Sequence, residues 1–178
     1  IESGNKAVEM LVEENKEKAL GFGTNINNLN VERKELDRAI TKEGLAMIEE
    51  SSDLQNRKTT VLYSENWHKG VIGIVASRLI ETHYKPTIVL TESNGKATGS
   101  ARSVKDFDVY NAIDACSDLL EQFGGHKYAA GLTMKLENIE AFTKKFDEVV
   151  SEQIDPELLI PQINIDSKLE LYQITDKF

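Results

Sequence analysis

This sequence has few of the residues that usually announce chemistry. Its 178 residues include one cysteine, one tryptophan, three histidines and three prolines. The lone Cys116 excludes an internal disulfide, and its place in an apolar helical pattern makes it a buried structural thiol. No apolar run approaches the ~18 residues of a membrane span, and the N-terminus lacks a signal-peptide pattern. A cytoplasmic protein with no membrane partner is therefore expected. Also missing are a Walker loop, a serine–histidine–acid set and any Asp/His cluster at metal-ligand spacing. These absences exclude a self-sufficient hydrolytic centre and leave no metal ligand to assign. The chain starts without methionine and ends in a short strand-like stretch, as a piece of something longer would.

Hydrophobic content of 40% and charged content of 29% are those of a globular chain. The length allows one well-cored domain plus an appendage. The net charge of −9 argues against a nucleic-acid binder, but it is unevenly spread. Residues 1–56 carry a balance of −5, residues 57–105 a balance of +5 and residues 106–178 a balance of −9. A local positive field can attract a polyanion if the fold gathers those charges on one face.

Apolar spacing predicts helices over residues 5–19 and roughly 29–52, separated at Gly21-Phe22-Gly23, with Thr24 or Asn25 capping the second helix. A strand is expected at Thr59–Tyr63, a helix from Gly70 to about Thr82 and a strand at Thr87–Leu90. Asn94-Gly95 turns the chain into a returning strand from Lys96 to Val104. A helix from about Val109 to Phe123 would end at Gly124, followed by a strand at Leu132–Leu136 and a helix from Ile139 to about Ile154. Residues Gln162 to Ile174 read as further β-structure. The order β-α-β-β-α-β-α implies an α/β fold, a mixed sheet flanked by helices.

Seven of the eleven glycines lie between residues 70 and 131, in or near three clusters. The first is Trp67-His68-Lys69-Gly70, expected at a helix N-terminus. There Trp67 stacks a base or wedges between helix and sheet, and His68 contacts a phosphate or serves as a capping residue. The second is Gly99-Ser100-Ala101-Arg102-Ser103. On a strand, Ser100 and Arg102 share one face about 7 Å apart, suiting a hydroxyl and a guanidinium to one phosphate. Gly99 would let the backbone approach. The third is Gly124-Gly125-His126, read as a tight turn presenting His126, with Ala129-Ala130-Gly131 leaving room for a ligand. His83 reads as a surface residue. The clusters together suggest one phosphate-handling surface.

In order and spacing, the run from Trp67 to Leu79, then Lys85–Leu90, Gly99–Ser103, and Phe123–His126 with Ala129–Gly131, resembles the bacterial RecJ single-stranded-DNA exonucleases. The resemblance lies in the DHH-associated domain and covers about residues 57–153. It implies that residues 1–23 are the helical tail of a DHH catalytic domain and that 24–56 form a connecting helix. Residues 154–178 would open an oligonucleotide-binding fold. The resemblance further implies Ser100 and Arg102 on the 5′-phosphate, with Ser103, His68, Gly99, Gly124 and Gly125 as further phosphate- or DNA-binding residues. His126 would be an auxiliary catalytic residue near the scissile phosphate. The divalent metal, Mn or Mg, would belong to the DHH half, so this piece by itself is expected to be inactive and to carry no cofactor. The intact enzyme would be a monomer degrading single strands 5′ to 3′ in DNA repair and recombination, with a helicase or single-strand-binding protein as partner. Two alternatives are an oligonucleotide or cyclic-dinucleotide phosphodiesterase of the DHH superfamily and a non-catalytic nucleic-acid-binding module.

Overall fold

The computed structural model describes residues 4–163, 165–170 and 174. Helix α1 (Asn5–Val12) ends where Glu13 turns extended, at φ −72° and ψ 119°. Asn15 then caps α2 (Lys16–Glu50), its side-chain oxygen accepting from the amides of Glu17 and Lys18 at 3.0 and 3.1 Å. At 35 residues, α2 runs about 52 Å.

The break expected at Gly21-Phe22-Gly23 does not occur, because both glycines lie inside α2. Each costs about 1 kcal/mol in a helix interior; Gly21 is exposed, whereas Gly23 lies where α1 packs against α2. A Cβ on Gly23 would meet the Met10 sulfur at 3.6 Å. Thr24 is no cap: its hydroxyl donates back to Leu20 O within the helix. The expected boundary at 23/24 therefore falls in mid-helix.

After the short α3 (Ser52–Asn56), five strands form one mixed sheet: β1 (Thr60–Tyr63), β2 (Thr87–Ser93), β3 (Lys96–Arg102), β4 (Gln122–His126) and β5 (Ala129–Lys135). Their spatial order is β1-β2-β3-β5-β4, parallel between β1 and β2 and antiparallel elsewhere. Helix α4 (Ile72–His83) is the crossover that parallel pairing requires.

Period-two alternation divides the sheet into two faces. The back face carries Ile88, Leu90, Ala97, Ala101, Leu132 and Met134 into a core shared with α5 (Val109–Asp114) and α6 (Ile139–Gln153). Phe142 and Phe146 of α6 stack there at 5.7 Å. On the front face, Leu62 and Val89 meet Val71, Val75 and Leu79 from the α4 side and Ile40 and Ile48 of α2. Gly44 brings α2 close, since a Cβ there would lie 3.2 Å from Leu62 Cδ1. The Arg78 guanidinium clamps buried Asp37 at 2.9 Å and ties α4 to α2.

The helix expected from Val109 to Phe123 stops at Asp114. A 3-10 turn at Ser117–Leu119 follows, and Glu121 N–H donates to Thr133 O as the chain enters the sheet. Strand pairing overrides the apolar spacing of Leu119 and Leu120, which read as helix in isolation. Gly124 is thus no helix cap, and β4 is an edge strand missing from the expected order. Of the β-structure expected over residues 162–174, the described residues carry no strand. The rest of that stretch lies outside the described residues.

Candidate nucleic-acid interface

Helix α4 lies across β2 and β3 on the front face, and the front-facing residues of β5 and β4 beyond it are exposed or half-buried. The pairing register places His126, Ala129, Arg102 and Thr87 in one row across the sheet. Gly124, Gly131, Ser100 and Val89 form the next row, and Gln122, Thr133, Thr98 and Thr91 the third. Small residues therefore floor a trough between the Ser100–Arg102 pair and His126. Two strand spacings, ~9.6 Å, separate the Arg102 and His126 positions. The trough continues into a cavity of about 410 Å³ lined by Thr98, Thr133, Gln122, Gly124, Gly131 and Lys69.

The expected adjacency of Ser100 and Arg102 is observed: Arg102 Nη1 donates to Ser100 Oγ at 2.9 Å and to Ala101 O at 2.8 Å. Both residues are half-buried. Burial pushes the Arg102 pKa down from its ordinary value, yet a guanidinium stays charged in proteins. Among the described residues no carboxylate forms an ion pair with it, whereas Arg57, Arg78 and Lys96 are paired with Asp53, Asp37 and Glu121. Lys58 and Lys85 donate to backbone carbonyls. The positive stretch is thus mostly committed to holding the fold together. Lys69 and Arg102 are the members of it that reach the trough.

The Trp67–Gly70 turn forms the wall. Trp67 is 4% exposed and its Nε1 donates to Glu43 Oε2 at 2.9 Å, so it is the wedge rather than a stacking platform. Thr91 Oγ1 donates to Trp67 O at 2.6 Å, pinning the same turn to β2. His68 is exposed and precedes the helix proper, and its Nδ1 accepts from Gly70 N–H at 3.0 Å. His126, exposed on β4, makes a parallel contact, its Nδ1 accepting from Tyr128 N–H at 3.3 Å. In each neutral ring the proton then sits on Nε2, which is left as a donor.

The glycines separate by cause. Gly99 faces the back, where a Cβ would strike Leu90 Cδ2 at 2.4 Å, so packing explains it rather than approach of a ligand on the Ser100 face. Gly125 has φ +155°, and a Cβ would lie 2.3 Å from Ala129 O. It too serves the hairpin and lies on the back of the sheet. A Cβ on Gly124 meets nothing within 4 Å, and one on Gly131 meets only Gly99 O at 3.9 Å. The fold does not require glycine at either, and both floor the trough. The Ser103 hydroxyl donates to Phe107 O at 2.9 Å, and its N–H to Tyr128 O, so both its protons hold the loop after β3.

Lys69 was read only as a member of the first cluster, and Thr98, Gln122 and Thr133 were not singled out from sequence. Alternation along β4 and β5 is the signal that finds the last two, once β4 is recognised as a strand. Among the described residues no group of three or more His, Cys, Asp or Glu side chains could hold a metal ion. Among them, too, no helix is long and apolar enough to cross a membrane.

A five-stranded mixed sheet flanked by helices is the architecture of a known class. Residues 56–152 match the DHHA1 domain model, and the chain belongs to that family. Within it, the chain is similar to the single-stranded-DNA-specific exonuclease RecJ. Identity is 34% to RecJ of Bacillus subtilis, covering 98% of this chain and 22% of that protein. It is 30% to RecJ of Escherichia coli, covering 94% of this chain and 30% of that protein. The crystal structure of RecJ in complex with Mg2+ from Thermus thermophilus superposes with a TM-score of 0.75 at 30% identity, over 85% of this chain and 23% of that one. A structure of exonuclease RecJ bound to manganese also matches at 0.75 and 28% identity, over 87% of this chain and 38% of that one. The chain thus spans about a fifth to a third of the length of these curated relatives.

Proposed function

We propose that this chain is the substrate-gripping part of a 5′-to-3′ single-stranded-DNA exonuclease acting in DNA repair and recombination. The observation that carries the reading is Arg102: half-buried, without a carboxylate partner among the described residues, and hydrogen-bonded to Ser100 beside a trough. A charge in that setting calls for an anion. A terminal 5′-phosphate held between Ser100 and Arg102 provides one, and the strand then runs over Gly131, Ala129 and Gly124. His126 Nε2 donates to a phosphate from the opposite bank, and His68 and Lys69 approach from the wall.

Bond cleavage belongs to residues outside this chain, where the divalent metal of the RecJ relatives would activate water. This chain by itself binds single strands weakly and salt-dependently, and it does not hydrolyse them. The full-length protein acts as a cytoplasmic monomer, with a helicase or single-strand-binding protein as partner.

The test replaces Arg102 with alanine in the full-length protein and compares binding and cleavage of 5′-phosphorylated and 5′-hydroxyl oligothymidylate. Binding should weaken about tenfold or more, as for loss of a charge-assisted hydrogen bond, and the preference for phosphate should be blunted. Unchanged binding and preference would refute the assignment. A dinucleotide cleaved faster than a long strand would instead favour a short-oligonucleotide phosphodiesterase.

A further inference from the structure

Gly73 lies in the first turn of α4, directly above the Ser100–Arg102 pair. A Cβ built there falls 2.9 Å from Arg102 Nη2, 3.0 Å from Ser100 Oγ and 3.6 Å from Arg102 Cζ. Beyond its own helix, these are the nearest atoms that it meets among the described residues. The backbone conformation does not demand glycine, since Gly73 has no positive φ. Helix propensity argues against it, because glycine is the poorest helix former after proline. The cost is borne at the one point where the helix crosses the two donors. We propose that Gly73 is a positioning residue, whose missing side chain leaves room for the Arg102 guanidinium and the Ser100 hydroxyl to point at one anion. This rests on the reading of that pair as the seat of the 5′-phosphate.

A methyl group at position 73 has an easy way out. The atoms it meets are the ends of two side chains, and both can rotate away without moving the backbone. The helix gains from the substitution while the donor pair loses its geometry. Stability and recognition should therefore move in opposite directions, which a merely structural glycine would not produce.

The experiment uses the full-length protein as wild type, Gly73→Ala, Arg102→Ala and the double variant. For each it measures Tm and the binding of 5′-phosphorylated against 5′-hydroxyl oligothymidylate. Gly73→Ala should leave Tm unchanged or raised and lower the preference for phosphate about tenfold. In the Arg102→Ala background its effect should shrink to what the Ser100 contact alone contributes, because the larger part acts through the missing guanidinium. If Arg102→Ala abolishes the preference while Gly73→Ala keeps it, the positioning role is wrong and the phosphate seat stands. Additive losses in the double variant, or a lowered Tm with both substrates weakened equally, would also overturn the role. If Arg102→Ala keeps the preference, the phosphate seat itself fails and the proposal with it.

Discussion

The two halves of the front face follow opposite rules. Over β1 and β2 the strands present Leu62 and Val89, which α2 and α4 cover, and the nearby Arg78 is consumed by Asp37. Over β3, β5 and β4 the same face presents Ser100, Arg102, Gly131, Ala129, Gly124 and His126, and no carboxylate pairs with Arg102 among the described residues. A bare sheet face in water ordinarily carries large polar side chains. Here it carries almost none in the middle and charged or polar donors at both banks. That pattern fits a surface kept low for a ligand, and the two halves should break in different ways.

The sharpest contrast is among glycines. Gly125→Ala forces a Cβ to within 2.3 Å of Ala129 O and 2.5 Å of Ala130 Cα. Neither is a side-chain end that can swing away, so the β4–β5 hairpin must distort, at about 3 kcal/mol. Chemical denaturation should show the loss, and a midpoint unchanged from wild type would mean that the strand relaxes freely. Next comes the covered half. Arg78→Ala leaves the Asp37 carboxylate buried with only a long contact from Thr41, at 3.4 Å. About 2 kcal/mol should be lost, discounted from the range for fully buried pairs because Arg78 is half exposed. The preference for a 5′-phosphate should survive this substitution in the full-length protein. Its disappearance would show the two halves to be coupled.

On the open half the effect should be on binding alone. Gly131→Val adds a side chain in a strand that has room for it, so Tm should hold. Affinity for single-stranded DNA should fall about tenfold, from loss of close approach over the floor. Equal affinity would show that the strand does not cross Gly131.

Much of this division was legible in the residues themselves. Ser100 and Arg102 two apart in a strand-forming run already implied a shared face, and the register bears it out. Trp67 as a wedge was one of two open readings, and only its contact with Glu43 decides. What sequence could not supply was the partner of each segment. Leu119, Leu120 and Phe123 have helical spacing, yet the free edge of β5 draws residues 122–126 into the sheet. Gly99 and Gly124 look alike when only the sequence is read. Packing alone shows that Leu90 needs the first and nothing in the fold needs the second. Gly21 and Gly23 likewise punctuated the pattern without ending the helix; α1 packs at Gly23, and Gly21 is an exposed helical position.

The smallest expected effect compares two histidines. His126 sits exposed on the open half. His83, expected at the surface, is half-buried at the end of α4, and its Nε2 is buried with no hydrogen-bond partner among the described residues. Burial pushes the His83 pKa down, the nearby Lys85 ammonium pushes it further, and Glu49 opposes both. With the folded value below the unfolded one, the unfolded chain takes up the proton first as the solution is acidified. The stability His83 contributes is therefore intact above its unfolded pKa, near 6.5. It is lost as the pH falls from there through the folded value. His83→Gln removes the titration, so the urea midpoint should decline less between about pH 7.5 and pH 5 than it does in the wild type. The comparison variant is His126→Gln, which removes an exposed ring from the open half and leaves His83 in place. If the two substitutions flatten the profile equally, burial at the end of α4 is not what sets the acid sensitivity.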